Sequence, residues 1–213
     1  NYNYITIPKG GAPRAMLAYS LTQLLFILEL LHSGSNGVND LKIEMQSISK
    51  SLLKNQKEIM TLAMSIADRI GQKLPFIYTY PELEGLAIRF KQQLNENSKR
   101  HALFNIIPEM NHNEIVGWEK NSELFKTYFI IWLFDKRMNE RNKERQQIVM
   151  DMLDKIGLDQ FKLEVIGNNF EERFLLLIHY GDWLSYWCAI LHKTDPSPVN
   201  NIKILKDKLS KIK

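Results

Sequence analysis

The chain has 213 residues, 45% of them hydrophobic and 24% charged, which excludes a disordered or fibrous protein and leaves material for one sizeable core or two small ones. Its formal charge of +4 lies in residues 201–213, where five lysines meet one aspartate. The first 200 residues are balanced, 23 charges against 23. A generally basic nucleic-acid-binding surface is therefore excluded, and at most the C-terminal end is basic.

Cys188 is the sole cysteine, so neither an intrachain disulfide nor a cysteine-rich zinc module can form, and a reducing cytoplasmic setting is expected. The longest charge-free apolar run, residues 15–28, is too short to cross a bilayer and lacks the flanks of a signal peptide. No membrane association is expected. The chain opens at Asn1 without methionine, and the alternation over residues 2–7 predicts a strand. It reads as the interior of a longer polypeptide.

In chain order, a turn at residues 8–11 is followed by Pro13-Arg14 opening a helix to about Leu31. That helix is apolar nearly all round, so burial between other elements is expected. Residues 32–37 predict a flexible linker, after which Asn39 or Asp40 caps a long amphipathic helix that ends at Gly71. Residues 74–79 predict a strand, and 81–97 return to helical spacing. Residues 98–111 look irregular. The apolar run 128–133 is the clearest buried strand. A charged helix (138–156), a strand (162–166), a long apolar helix opening at Asn168 or Asn169, a proline break at 195–198 and a short helix (199–210) complete the chain. Strands alternating with helices predict a three-layer α/β fold on a mainly parallel sheet.

The densest polar clusters are Asn95-Glu96-Asn97-Ser98-Lys99 and Pro108-Glu109-Met110-Asn111-His112-Asn113-Glu114. Glu96 at a helix end and His112 in a loop suit general base and general acid work near neutral pH. The plainer alternative has Glu96 solvating a helix end and His112 capping the next helix. Metal sets can be drawn from Glu109, His112 and Glu114, or from Cys188 and His192, but neither supplies the three convergent ligands of a catalytic site. Ser33-Gly34-Ser35-Asn36-Gly37 follows a helix, whereas a phosphate-cradling loop follows a strand. Trp132, Trp183, Trp187, Met60 and Met64 fall on regular periods and read as core or subunit interface.

These polar motifs, with Ala12-Pro13-Arg14-Ala15, Ile115-Val116-Gly117 and Asp195-Pro196-Ser197-Pro198-Val199, resemble in content and order the C-terminal part of bifunctional phosphoglucose/phosphomannose isomerases of the sugar isomerase (SIS) group. The resemblance implies that residues 1–11 end a preceding strand and linker, and that residues 12–213 form a C-terminal SIS-type domain. It implies aldose–ketose isomerisation of hexose 6-phosphates through a cis-enediol, without metal or organic cofactor. Glu96 would be the base moving a proton between C1 and C2, and Arg14 would hold the enediolate. His112 would assist ring opening from the partner subunit of a homodimer, and Lys206 would act in ring opening or contact sugar hydroxyls. Asn95, Asn111 and Ser197 would bind substrate. A preceding SIS subdomain would hold the phosphate. A non-catalytic sugar-phosphate-binding module that keeps the fold is the alternative, and it would have no use for Glu96 as a base.

Overall fold

The structure, a computed structural model, describes residues 4–120 and 123–212. They form two compact units, Asn1–Asn55 and Gln56–Lys213.

The first unit holds a 3-10 turn, Pro13–Ala15, and most of a long helix, α1 (Leu17–Ile70), which continues into the second unit. The expected linker at 32–37 is instead helical apart from Gly34, whose φ of 69° is open to glycine but strained for other residues. Two helices meet at a kink on this one residue, so the expected break is present but shortened to Gly34, and the second helix starts there and not at Asn39 or Asp40. Tyr2 and Asn3 of the expected first strand lie outside the described residues, and residues 4–7 form no strand. The expected burial of residues 15–31 is also corrected. Leu24, Ile27, Leu28 and Leu31 form an exposed stripe at i, i+3, i+4 and i+7, with Leu31 79% exposed.

The second unit is built on four parallel strands: β1 (Leu74–Thr79), β2 (Leu103–Ile106), β3 (Tyr128–Phe134) and β4 (Asp159–Glu164), in the order β2-β1-β3-β4. Register explains the two buried faces. Phe104, Ile77, Ile131 and Phe161 lie in one row across the sheet. The cations of α1 and the following turn cover this face, with the Arg69 guanidinium 5.3 Å from the Phe129 ring and 5.6 Å from Phe161. The adjacent row, Asn105, Tyr78, Trp132 and Lys162, points the other way. Tyr78 and Trp132 there join Phe76, Met110, Trp118 and Ile130, closed over by Val149 and Leu153 of α4 (Glu140–Lys155). Helices thus cover both faces, giving the expected three layers.

On the α1 face, α2 (Glu84–Ser98) and α5 (Phe170–Leu191) run side by side. Gly181 permits their close approach: a Cβ there would meet the Phe90 ring at 2.6 Å. Helix α5 is long and apolar enough to cross a membrane by length and composition. Here it is a core helix, burying Leu177, Leu184, Cys188 and Ala189. Asn169 caps it, accepting from the Glu172 N–H at 2.8 Å. The last helix, α6 (Asn200–Leu209), is exposed along its whole length.

Strand β1 matches its expected span, while β3 and β4 differ by one to three residues at their ends. The irregular stretch 98–111 conceals β2, a four-residue edge strand carrying a polar residue, Asn105, on a buried row.

Candidate active site

Glu96 and His112 lie at opposite ends of β2. Helix α2 descends to the amino end of the strand, and a four-residue connection leads from Ser98 to Leu103. His112 follows the carboxyl end. The strand alone puts roughly 10 Å between the two edges.

At the amino end, α2 stops on Lys99, which takes left-handed backbone angles (φ 56°) while its N–H and that of Arg100 close on the Leu94 carbonyl. The Asn95 amide, in the orientation that satisfies it, donates to the Arg100 carbonyl at 2.7 Å. The Lys99 ammonium donates to the Glu96 carbonyl and, at 3.2 Å, to that of Pro196. This second bond joins two motifs a hundred residues apart. Between them lies an open cleft of about 530 Å³ lined by Asn95, Glu96, Arg100, His101, Asn200 and Ile202, among others. Glu96 is half-buried at its wall.

The residues 195–198 make a tight turn in which the Ser197 N–H donates to Asp195 Oδ1 at 2.8 Å. That bond and the Ser197 hydroxyl hold the Asp195 carboxyl below its ordinary range. Ser197 thus fixes the turn, and Pro198, next to it, lines the cleft. Lys206 is exposed on α6, four residues after the cleft-lining Ile202 and therefore one turn further along the same helix face.

At the carboxyl end the loop is pinned from beneath. Met110 is fully buried, and the Ile107 N–H donates to the Thr79 carbonyl at 2.7 Å across the strand ends. Tyr78, buried in the sheet, donates its hydroxyl to Glu114 Oε1, and Asn105 donates to Glu114 Oε2 at 2.6 Å. Burial, then the Glu114 charge, raises the Tyr78 phenol far above its ordinary value, so it stays a donor. Asn113 caps α3 (Glu114–Gly117) and donates to Glu109 at 3.0 Å. Asn111 places its amide on the Met110 sulfur at 3.3 Å, leaving its carbonyl oxygen buried without a partner. His112 is left exposed at the tip, its N–H bonded to the Glu109 carbonyl. The cap is Asn113, not His112.

The structure therefore gathers Asn95 and Glu96 at one cleft with Ser197 and Lys206 beside it. It places Asn111 and His112 at the other edge of the sheet. Arg14 belongs to the first unit, in the turn Pro13–Ala15. Of the metal sets weighed from sequence, Glu114 is committed to Tyr78 and Asn105, while His192 is engaged by Arg100 and Gln72. Burial pushes the Cys188 thiol up to about 12, leaving it protonated at neutral pH. No group of three or more potential ligands gathers among the described residues.

Sequence reasoning missed the polar pairs made across long separations. Arg173 and Asp135, both fully buried, join at 2.5 Å and 3.1 Å at the carboxyl end of β3. Burial alone would raise the Asp135 carboxyl, but the Arg173 bonds and the Arg137 N–H outweigh it and hold the group below its ordinary range. Arg100, which lines the cleft, was likewise overlooked.

A parallel αβα domain with its motifs gathered in this way has the fold of SIS phosphosugar proteins. A glucose-6-phosphate isomerase like protein from Thermus thermophilus superposes with a TM-score of 0.63 at 15% identity, over 87% of this chain and 61% of that one. Residues 59–209 match the family described as bacterial phospho-glucose isomerase C-terminal SIS domain, and the chain belongs to that family. Relatives named bifunctional phosphoglucose/phosphomannose isomerase are 36% identical over 96% of the chain in Aquifex aeolicus and 35% identical over 100% of it in Caldicellulosiruptor bescii. The chain spans 61% and 64% of the length of these two relatives.

Proposed function

We propose that this chain supplies the proton-transfer machinery of an isomerase interconverting glucose 6-phosphate or mannose 6-phosphate with fructose 6-phosphate. The observation that carries the reading is Glu96, a carboxylate in the wall of an open cleft bounded by the two motifs that Lys99 ties together. Glu96 takes the proton from C2 of the open-chain aldose and returns it at C1. The second proton moves between the two oxygens of the cis-enediol. Arg14, in the role the resemblance implies, balances the negative charge developing on the enediolate oxygen. Lys206 serves ring opening or the sugar hydroxyls. Asn95 and Ser197 shape the cleft wall through the bonds already described. The 6-phosphate is held by a preceding SIS subdomain, as the resemblance implies.

His112 acts on a neighbouring copy. Its exposure at the edge of the sheet opposite Glu96 supports this, because an imidazole there is badly placed for its own chain's cleft and well placed for a partner's. Asn111 holds that tip in shape. The working unit is then a cytoplasmic homodimer with shared sites.

The test is Glu96→Gln in the full-length protein. The amide keeps shape and loses basicity, so isomerisation and solvent-hydrogen exchange at C2 fall together by about 10²- to 10⁴-fold while sugar-phosphate binding persists. Near-normal turnover by the Gln variant would remove Glu96 from the role of base.

A further inference from the structure

Arg100 is placed to control the direction in which Glu96 points. Its Nη1 donates to the Gly71 carbonyl and to His192 Nε2, and its Nη2 donates to the Lys73 carbonyl at 2.7 Å. One guanidinium thus fastens the segment that leaves α2, whose Arg100 N–H closes on the Leu94 carbonyl, to the α1–β1 turn and to the C-cap of α5. Burial draws that guanidinium below its ordinary value, as befits a cation spent on internal bonds and not on a ligand.

The contact is the end of a ladder. Arg89 donates to Asp182 at 2.8 Å, Gln93 to the same carboxylate at 2.6 Å, and Asn97 to the Ser185 hydroxyl at 2.9 Å. Residues 89, 93 and 97 recur at helical spacing, so together they fix the rotation of α2 about its own axis against α5, while Arg100, past the left-handed Lys99, anchors the chain as it leaves the helix. Glu96 sits between Gln93 and Asn97, four residues before Arg100. A rotation of α2 by a few tens of degrees would swing its carboxylate away from the cleft, and beyond Glu96 the helix end is held by Asn97 and then, past the cap, by Arg100.

We propose that Arg100 and His192 are positioning residues for Glu96, a staple that keeps the base aimed at the reacting carbons. The proposal rests on the isomerase reading and adds to it the device that holds the base. The chemistry also sets the imidazole's form. Arginine cannot accept a hydrogen bond, so His192 Nε2 carries the lone pair and the proton of the neutral ring sits on Nδ1; the Gln72 amide, whose Nε2 lies 3.1 Å from Nδ1, must then turn its oxygen toward the ring to accept. Glutamine at 192 can offer Arg100 an oxygen in place of that nitrogen, whereas alanine offers nothing.

The experiment measures kcat and KM with fructose 6-phosphate for full-length Arg100→Lys, His192→Ala and His192→Gln, with melting curves for each. Arg100→Lys keeps the charge and loses the fork, so it and His192→Ala lower kcat about 10- to 100-fold with KM within about threefold, as misaimed catalytic groups do. His192→Gln recovers most of kcat. Nitrogen-15 NMR of wild-type His192 shows the neutral Nδ1–H tautomer. Normal kcat in Arg100→Lys overturns the proposal. So does equal loss in the Ala and Gln variants tracking a fall in melting temperature, because packing alone would then explain it. Wild-type protein inert toward hexose 6-phosphates would instead overturn the isomerase reading, a result separable from the variants' failure in an active enzyme.

Discussion

The two ends of β2 solve opposite problems. At the amino end, Glu96 stands in a concave wall, and the bonds around it run sideways to other elements through Lys99 and Arg100. At the carboxyl end, the bonds run down into the core through Met110 and the Tyr78–Glu114–Asn105 group, leaving His112 outermost. A base must stay within hydrogen-bond reach of a bound substrate, which suits a recess. A group lent to another chain must project, which suits a tip braced from below. On the proposed reading, the contrast teaches how one short strand would serve two sites, each end anchored in the direction its side chain needs.

The largest effect that could break this contrast comes from mixing subunits. Full-length Glu96→Gln and His112→Ala should each be nearly inactive alone. If dimers re-form at random, half are mixed, and half the sites in those carry both intact residues, so activity returns to about a quarter of wild type. No recovery after demonstrated exchange would put both residues at one chain's site, and the opposed roles of the two ends would fall.

Much of the fold and of the site is legible in the amino-acid sequence. The run 128–133 is apolar without interruption, and 74–79 nearly so up to the buried Thr79, because both faces of a parallel sheet are covered and buried strands have little else to display. The Asn95–Lys99 and Pro108–Gly117 motifs stand out because each packs several polar groups into a few residues. What escapes is whatever depends on distant partners. β2 looks irregular because Asn105 is polar, and its reason for being polar is Glu114, held in place by Tyr78 from another strand. Arg100 carries no signal of its own in the sequence, because its partner His192 comes 92 residues later. The linker at 32–37 shrinks for a local reason: small polar residues and glycine signal a break between two helices, and the break is there, but only Gly34 leaves helical angles.

A middle-sized effect sharpens the comparison on the structural side. Asp135 and Arg173 lie at the carboxyl edge of the sheet and are wholly buried. Asp135→Asn leaves a buried guanidinium without its counter-charge, which costs about 3–5 kcal/mol of stability. The pH dependence has a definite sign. The folded carboxyl lies below its ordinary value, so its stabilisation is full above the unfolded carboxylate value and fades as pH falls through the folded one. Denaturant melts from pH 7 downward should therefore show wild type losing stability in acid, with the Asn variant flatter over that range. Parallel curves for the two proteins would show that the pair does not set acid stability.

The smallest expected effect is on folding, and it separates a catalytic lysine from a structural one. Lys206 is exposed on α6, a helix with no buried residue and no side-chain cap. Removing its ammonium vacates no packed space and strands no buried partner, so Lys206→Ala should leave the melting temperature unchanged. Its face of the helix nevertheless continues that of Ile202, which lines the cleft, and a flexible four-carbon stem lets the ammonium swing toward a bound sugar. The variant should accordingly lose kcat/KM by about tenfold or more on the hexose 6-phosphate with its melt unmoved. Activity intact alongside the intact melt would return Lys206 to the solvated basic face that composition alone suggested. A depressed melt would mean that α6 packs more tightly than its exposure implies, and any kinetic loss would then say nothing about the sugar.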